Sequence, residues 1–116
     1  MLSTLEFVMK DQHTKIKGYR ELSQSEIDLM NRIKTAGSQL LSLQAELAGR
    51  LGTDKELKSV AAMSSKRAPE DEATDECVEL RRFNDAEPLR WASIAKTDIQ
   101  TGIMALVRAV AQPTTT

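Results

Sequence analysis

The 116 residues suit a single domain, and a net charge of −1 with no strongly basic block argues against binding long nucleic acid. Hydrophobic residues make up 41% of the chain but aromatics only 3%, so the core must come from Leu, Ile, Val, Met and Ala, a composition that favours helices over sheets. The single cysteine, Cys77, excludes an internal disulfide or a multi-cysteine metal site and fits a reducing cytoplasm; no apolar run reaches the length of a membrane span, and no apolar N-terminal block marks a signal peptide.

Residues 1–11 form a short mixed segment in which Leu2, Leu5, Val8 and Met9 suit one face of a short helix, and a polar, basic connector follows. The first long helix is predicted over about 24–51. Ser23 with Glu26 three residues later has the spacing of a capping box, and Leu22 with Ile27 that of a hydrophobic staple. Ile27, Met30, Ile33, Leu40, Leu47 and Leu51 recur at helical steps, with Gly37 and Gln44 on the same stripe. Gly52 is placed to end the helix. Gly37 is either a tolerated imperfection or a point where another backbone or a ligand comes close.

Charge shifts along the chain. Residues 53–88 carry a net −4, and residues 89–116 a net +2. The acidic run Glu70, Asp71, Glu72, Asp75, Glu76 reads as a solvated, mobile loop within a connector over about 53–83, without the spacing of a calcium loop. A second long helix is expected over about 86–111, capped by Asn84 or Asp85, with Pro88 in its first turn and Pro113 beyond its end. Leu89, Trp91, Ile94, Ile99, Ile103, Leu106, Val107 and Val110 spread over more than one of its faces. A helix apolar nearly all round should be buried nearly all round, and one partner helix cannot cover it. The expected fold is therefore all-α: a long antiparallel helical hairpin with a short N-terminal segment, assembling as a homo-oligomer.

Chemistry is sparse. His13 has no Cys or acid pair at metal-ligand spacing, and no nucleophile motif, zinc-protease motif or phosphate-cradling glycine loop is present. The chain is expected to bind rather than catalyse, with no cofactor and no metal. Lys15, Lys17 and Arg20 surround the only tyrosine, Tyr19, which suits either a basic turn covering the hairpin or a ring that stacks on a base. Arg108 lies between Val107 and Ala109, so its charge should be paired or face a ligand; Asp98, ten residues and roughly 15 Å away along the helix, cannot reach it within one chain.

The stretch from Gly18-Tyr19-Arg20-Glu21-Leu22-Ser23 through Asn31-Arg32-Ile33-Lys34 is similar to the first-helix signature of a phage sponge family that includes anti-CBASS and anti-Thoeris proteins. The stretches Arg90-Trp91 to Thr97-Asp98 and Gly102-Ile103 to Ala109-Val110 resemble that family's second helix. The resemblance implies a hairpin that assembles into dimers and then hexamers in the host bacterial cytoplasm. It implies binding, without cleavage, of cyclic nucleotide signals: cyclic ADP-ribose isomers such as glycocyclic ADP-ribose, cyclic dinucleotides such as cGAMP, and cyclic trinucleotides. Capture of these would block Thoeris or CBASS signalling. In a dinucleotide pocket of the family kind, Tyr19 would stack on a base and Lys34 would contact phosphate or base, flanked by Asn31 and Gly37. A separate pocket for cyclic ADP-ribose isomers would draw on Arg90, Trp91, Asp98 and Arg108, with Phe83 and Asn84 at its entrance. The long acidic connector looks more like the anti-Thoeris branch than like short anti-CBASS members. The alternative is a structural or partner-binding helical hairpin with no nucleotide ligand.

Overall fold

The computed structural model describes residues 20–114; Tyr19, His13 and the expected N-terminal segment lie outside them. The described residues form three helices: α1 (Gln24–Ser65), α2 (Asp75–Ala86) and α3 (Pro88–Ala111). No strand occurs among them, so the described residues are all-α as the composition predicts. Packing divides the protein into two compact units. One combines the residues up to Ser38 with those from Gln100 onward, and the other is Gln39–Ile99.

α1 starts where its capping signals place it. The Ser23 N–H donates to Glu26 Oε1 (2.9 Å), and the Glu26 N–H donates to Ser23 Oγ (3.2 Å). Two donors that the first helical turn leaves without partners are satisfied by this exchange. Arg20, just before the cap, forks onto both Glu26 oxygens and donates from Nη2 to the Val110 carbonyl at 2.6 Å. Val110 lies in the last turn of α3, where carbonyls lack helical partners and a positive charge is favoured. Gln112, in the left-handed region at φ 52, returns its N–H to the Arg108 carbonyl and closes that helix.

The end of α1 differs from the expectation. The helix does not stop at Gly52 but runs to Ser65. Gly49 and Gly52 each cost roughly 1 kcal/mol relative to Ala, yet neither supplies a positive φ here, so nothing turns the chain. The inward stripe also shifts. Met30, Gly37, Leu41, Gln44, Ala48 and Leu51 are buried or half-buried, whereas Leu40 and Leu47 are half exposed. At about 100° per residue, Leu29, Ala36, Leu40, Leu43 and Leu47 make a neighbouring stripe with seven-residue repeats, and every member is exposed.

Within the first unit, Gly37 is buried because α3 comes close to it. A Cβ placed there would overlap Ile103 Cδ1 and lie 2.6 Å from its Cγ1. Of the two readings of this glycine, the close approach holds, and the approaching group is a side chain of the same protein.

Within the second unit, Gln44 Nε2 donates to the Ala92 carbonyl at 2.9 Å, which explains an amide on an otherwise apolar stripe. Ala62, Cys77, Phe83 and Ala92 are the buried hydrophobic residues of the described chain. The expected mobile connector over 53–83 is mostly helix, with a short turn at 66–74. In that turn Lys66 Nζ pairs with Glu72 (2.8 Å), and Asp71 accepts N–H bonds from Arg67 (3.2 Å) and Ala73 (3.0 Å). Both carboxyls are held below the ordinary range, Glu72 by the Lys66 ammonium and Asp71 by the two backbone donors. Thr74 caps α2 by accepting from the Cys77 N–H at 3.1 Å, which places Asp75 and Glu76 in the first turn, where negative charge is favoured. The acidic run is thus folded by local cations and backbone donors instead of remaining a loop.

Asn84 and Asp85, expected to cap α3, lie inside α2. Glu87, at φ 49, terminates α2 through its N–H to the Asn84 carbonyl (3.1 Å) and opens α3 by accepting from the Trp91 N–H (3.1 Å). Pro88, with no N–H to leave unpaired, lies in the first turn of α3 as expected, and is its first residue because the helix begins later than 86. α3 is not buried all round: Trp91, Met104 and Leu106 are 57%, 71% and 54% exposed.

Gly37→Ala should lower the melting temperature, because overpacking at about 1–3 kcal/mol outweighs the roughly 1 kcal/mol gained in helix propensity. Adding Ile103→Ala should make the double variant less destabilised than the sum of the single changes; additive losses would refute the close contact.

Glu26 and Glu79 have carboxyls lowered from the ordinary 4.5 to about 2, the first by Arg20 and Ser23, the second by Arg82 and Lys58. A depressed folded value contributes stability that is complete above about pH 4.5 and lost as pH falls through about 2. Melting temperature should therefore fall across that window, and Glu26→Gln with Glu79→Gln should flatten the fall. An unchanged acid profile in the double variant would contradict the assignment.

Candidate functional site

The first candidate set lies on α1. Asn31 and Lys34, one helical turn apart, are both exposed, and neither pairs with a described residue. Gly37, one further turn along, is buried against Ile103 and has a packing role independent of any ligand. The three share a unit, and Tyr19, the fourth member, lies outside the described residues. This set therefore offers the Lys34 ammonium, without a partner among the described residues, beside the Asn31 carboxamide. That combination suits a phosphate or a base edge, because a lysine contributes a mobile point charge with three donors.

The second set is split. Phe83, Asn84, Arg90, Trp91 and Asp98 fall in the unit Gln39–Ile99, and Arg108 falls in the other. Phe83 does not stand at a pocket entrance: it is 6% exposed, with Lys58 Nζ over its ring at 5.7 Å. It is a core residue of the pair formed by α2 and the end of α1, and a ring so enclosed offers no stacking face. Asn84 is exposed. Arg90 stacks on Trp91, its guanidinium 5.4 Å from the ring centroid, and its Nη1 lies 3.4 Å from Glu87. Trp91 and Asp98, seven residues apart, share one outward face of α3. Together they present a large π surface and a carboxylate, a combination that suits a base and a ribose hydroxyl.

Arg108 corrects another expectation. Its neighbours in sequence are apolar, but its side chain points outward, between the half-buried Val107 and Val110 and the exposed Ala105 and Ala109. A solvated guanidinium needs no partner, so the argument that it must be paired or face a ligand fails. Asp98 and Lys34 are likewise exposed and have no partner among the described residues.

One hollow has no counterpart among the sequence candidates. A cavity of about 340 Å³ between the end of α1 and α2 is lined by Met63 and Leu80 on its apolar side, and by Lys66, Glu72, Arg81 and Asn84 on its polar side. Of the candidate residues only Asn84 reaches it. Glu72 accepts from Lys66 at 2.8 Å and lies 3.6 Å from Arg81, so its single negative charge is shared between two cations. The signal in the sequence is the acidic run flanked by these two cations, a pattern that on its own is indistinguishable from a solvated loop. Among the described residues no cluster of His, Cys, Asp and Glu could hold a metal ion, and no helix is long and apolar enough to cross a membrane.

Comparison with known proteins agrees with this architecture. Residues 52–111 match the family described as Acb2/Tad1, hairpin domain. Over 105 residues the chain is 70% identical to a protein named Anti-CBASS protein 2 from Pseudomonas phage JBD67, covering 90% of this chain and 97% of that one. The match to the family takes in all of 53–83. That acidic stretch is therefore part of the matched hairpin domain. The two helical segments joined by the Lys66–Thr74 turn, the α3 that follows, and the likeness along nearly the whole chain lead to one conclusion: the chain belongs to the Acb2/Tad1 hairpin family.

Proposed function

We propose that this protein serves a phage during infection by binding cyclic nucleotide second messengers in the host bacterial cytoplasm and holding them uncleaved. The observation that carries the reading is the 70% identity with an anti-CBASS protein across 97% of that relative's length. The signals would be cyclic dinucleotides such as cGAMP, cyclic trinucleotides or cyclic ADP-ribose isomers such as glycocyclic ADP-ribose. Their capture would silence CBASS, and Thoeris where the last class is bound. Capture needs no turnover, only copies in excess and tight binding; nanomolar affinity corresponds to about −12 kcal/mol. The exposed side chains have chemistry suited to such ligands, with an ammonium at Lys34 and a carboxylate at Asp98 that have no partner among the described residues, a carboxamide at Asn31 and an indole at Trp91.

In this reading Tyr19 stacks on a base of a cyclic dinucleotide, Lys34 takes a phosphate or base edge, and Asn31 flanks them, with Gly37 shaping α1 beneath. Arg90, Trp91, Asp98 and Arg108, with Asn84 nearby, serve a second pocket. Pockets of this kind are completed between copies. Self-assembly into dimers and then hexamers accounts for the exposed leucines of α1, Leu29, Leu40, Leu43 and Leu47, which are 43–61% exposed in the single chain. The same exposed stripe supports the second reading, a hairpin that docks on another protein through this face and binds no nucleotide.

Calorimetric titration with the three signal classes separates these readings. Binding, with the ligand recovered intact after heating, supports capture; a linear nucleotide would mean cleavage; no heat from any signal would favour the partner-docking reading. Tyr19→Ala and Lys34→Ala should each weaken cyclic dinucleotide binding by about tenfold to hundredfold, since base stacking and charge-assisted hydrogen bonds are each worth about 1–3 kcal/mol. Normal binding by both variants would refute the pocket. Leu43→Glu should reduce the particle mass seen by light scattering while leaving helicity unchanged. A wild-type protein that scatters as a monomer would refute assembly.

A further inference from the structure

Glu87 holds a backbone conformation that glycine and asparagine enter more readily: at φ 49 and ψ 49 it lies in the left-handed region. Its N–H bonds to the Asn84 carbonyl and its carbonyl accepts from the Trp91 N–H, and neither of these bonds needs a side chain. What glutamate adds at this joint is a carboxylate. Among the described residues that carboxylate has one polar partner, Arg90, whose Nη1 lies 3.4 Å from Glu87 Oε2. Arg90 is also stacked on the next residue, its Cζ 5.4 Å from the Trp91 ring centroid. Carboxylate, guanidinium and indole therefore touch in series, within one compact unit, and all three side groups are more than half exposed. An ion pair so exposed is weak and screened by salt, so a better anion can displace it. A phosphate can accept from two guanidinium nitrogens side by side, whereas Glu87 meets only one of them.

We propose that Glu87 is an internal competitor for Arg90: it keeps the guanidinium engaged on the indole until an anionic ligand takes its place, and so selects which ligands this face accepts. The inference rests on the proposed reading of Arg90 and Trp91 as ligand contacts. It adds the chemistry that the face favours, a planar base able to lie on an indole and joined to a phosphate or pyrophosphate that can displace one carboxylate. A neutral nucleoside gains nothing by displacing Glu87. Glu87 itself does not touch ligand; it is a positioning residue that acts through Arg90.

The test titrates glycocyclic ADP-ribose into the full chain at low salt and follows the emission of Trp91, the chain's only tryptophan. Glu87→Gln should tighten binding about three- to fivefold, the gain expected when an exposed carboxylate releases an arginine. Glu87→Asn, which suits the left-handed backbone, should do the same, and it carries the test if circular dichroism shows that the glutamine variant is not folded. In an Arg90→Ala background neither change should alter binding by more than about 1.5-fold. In about 0.5 M salt the gain should shrink below about twofold, a dependence that a purely structural role would not produce. An equal gain with and without Arg90 would overturn the inference, since Glu87 would then act as a general repulsive charge. Unchanged or weaker binding by both Glu87 variants, alongside weakened binding by Arg90→Ala, would also overturn it while leaving the pocket assignment intact. A probe that leaves Trp91 emission unchanged, or that binds Arg90→Ala as it binds the wild type, would remove the pocket itself, and the competitor role with it.

Discussion

Two helices in contact along a line share only a narrow strip of interior, and side chains standing off that strip stay wet however apolar they are. This protein is built within that limit. Among the described residues the buried hydrophobic ones are mostly small, two alanines and a cysteine with one phenylalanine, and a glycine admits Ile103 where a larger residue would hold it off. Small residues let backbones approach closely but bury little area, so hydrophobic stabilisation at about 25 cal/mol per Å² accumulates slowly. What the strip lacks in area is supplemented by directional contacts at its edges. Gln44 reaches the Ala92 carbonyl, Arg20 reaches Val110, and Lys58 joins Glu79 while covering Phe83.

The same limit links fold to function. Apolar side chains that one chain cannot cover are available to another copy, and charged side chains that need no internal partner are available to a ligand. Lys34, Asp98 and Arg108 belong to the second group, Leu40, Leu43 and Leu47 to the first. Among the described residues the groups with displaced acidity are ion pairs that hold turns and helix ends, Arg20 with Glu26, Lys66 with Glu72 and Arg82 with Glu79, together with Asp71, which two backbone donors hold in the turn.

Local signals in the sequence are reliable where one residue pair determines the outcome. Ser23 and Glu26 form the capping box their spacing predicts, Pro88 opens α3, and the helical repeat of α1 follows the apolar residues. The family resemblance at Gly18–Lys34 and Arg90–Val110 agrees with the membership found by comparison. Signals fail where tertiary context decides. Gly49 and Gly52 look like a stop, but a helix ends only when the chain turns. The acidic run looks solvated because Lys66 and Arg81, its partners, are ordinary surface residues in the sequence. Phe83 and Arg108 exchange roles for a related reason. An aromatic near a polar stretch suggests a pocket entrance, and an arginine among apolar residues suggests a buried charge, but facing is set by angular position and not by neighbours in the chain. The candidate site is legible at Asn31 and Lys34, both exposed as a ligand contact requires, and less so on α3, where half-exposed faces give the sequence little to distinguish them.

Glu87 is the only residue between α2 and α3, and its left-handed backbone serves as the end of one helix and the start of the next. A joint this short has no slack. Adding or removing one residue would turn α3 by about 100° about its own axis, moving Ala92 off the Gln44 side and swinging a bulkier neighbour toward α1. The faces that α3 shows to solvent, Trp91 and Asp98 among them, are therefore indexed to α2 residue by residue. Length changes can be absorbed in the Lys66–Thr74 turn, where the chain has nine residues to adjust, but not at Glu87.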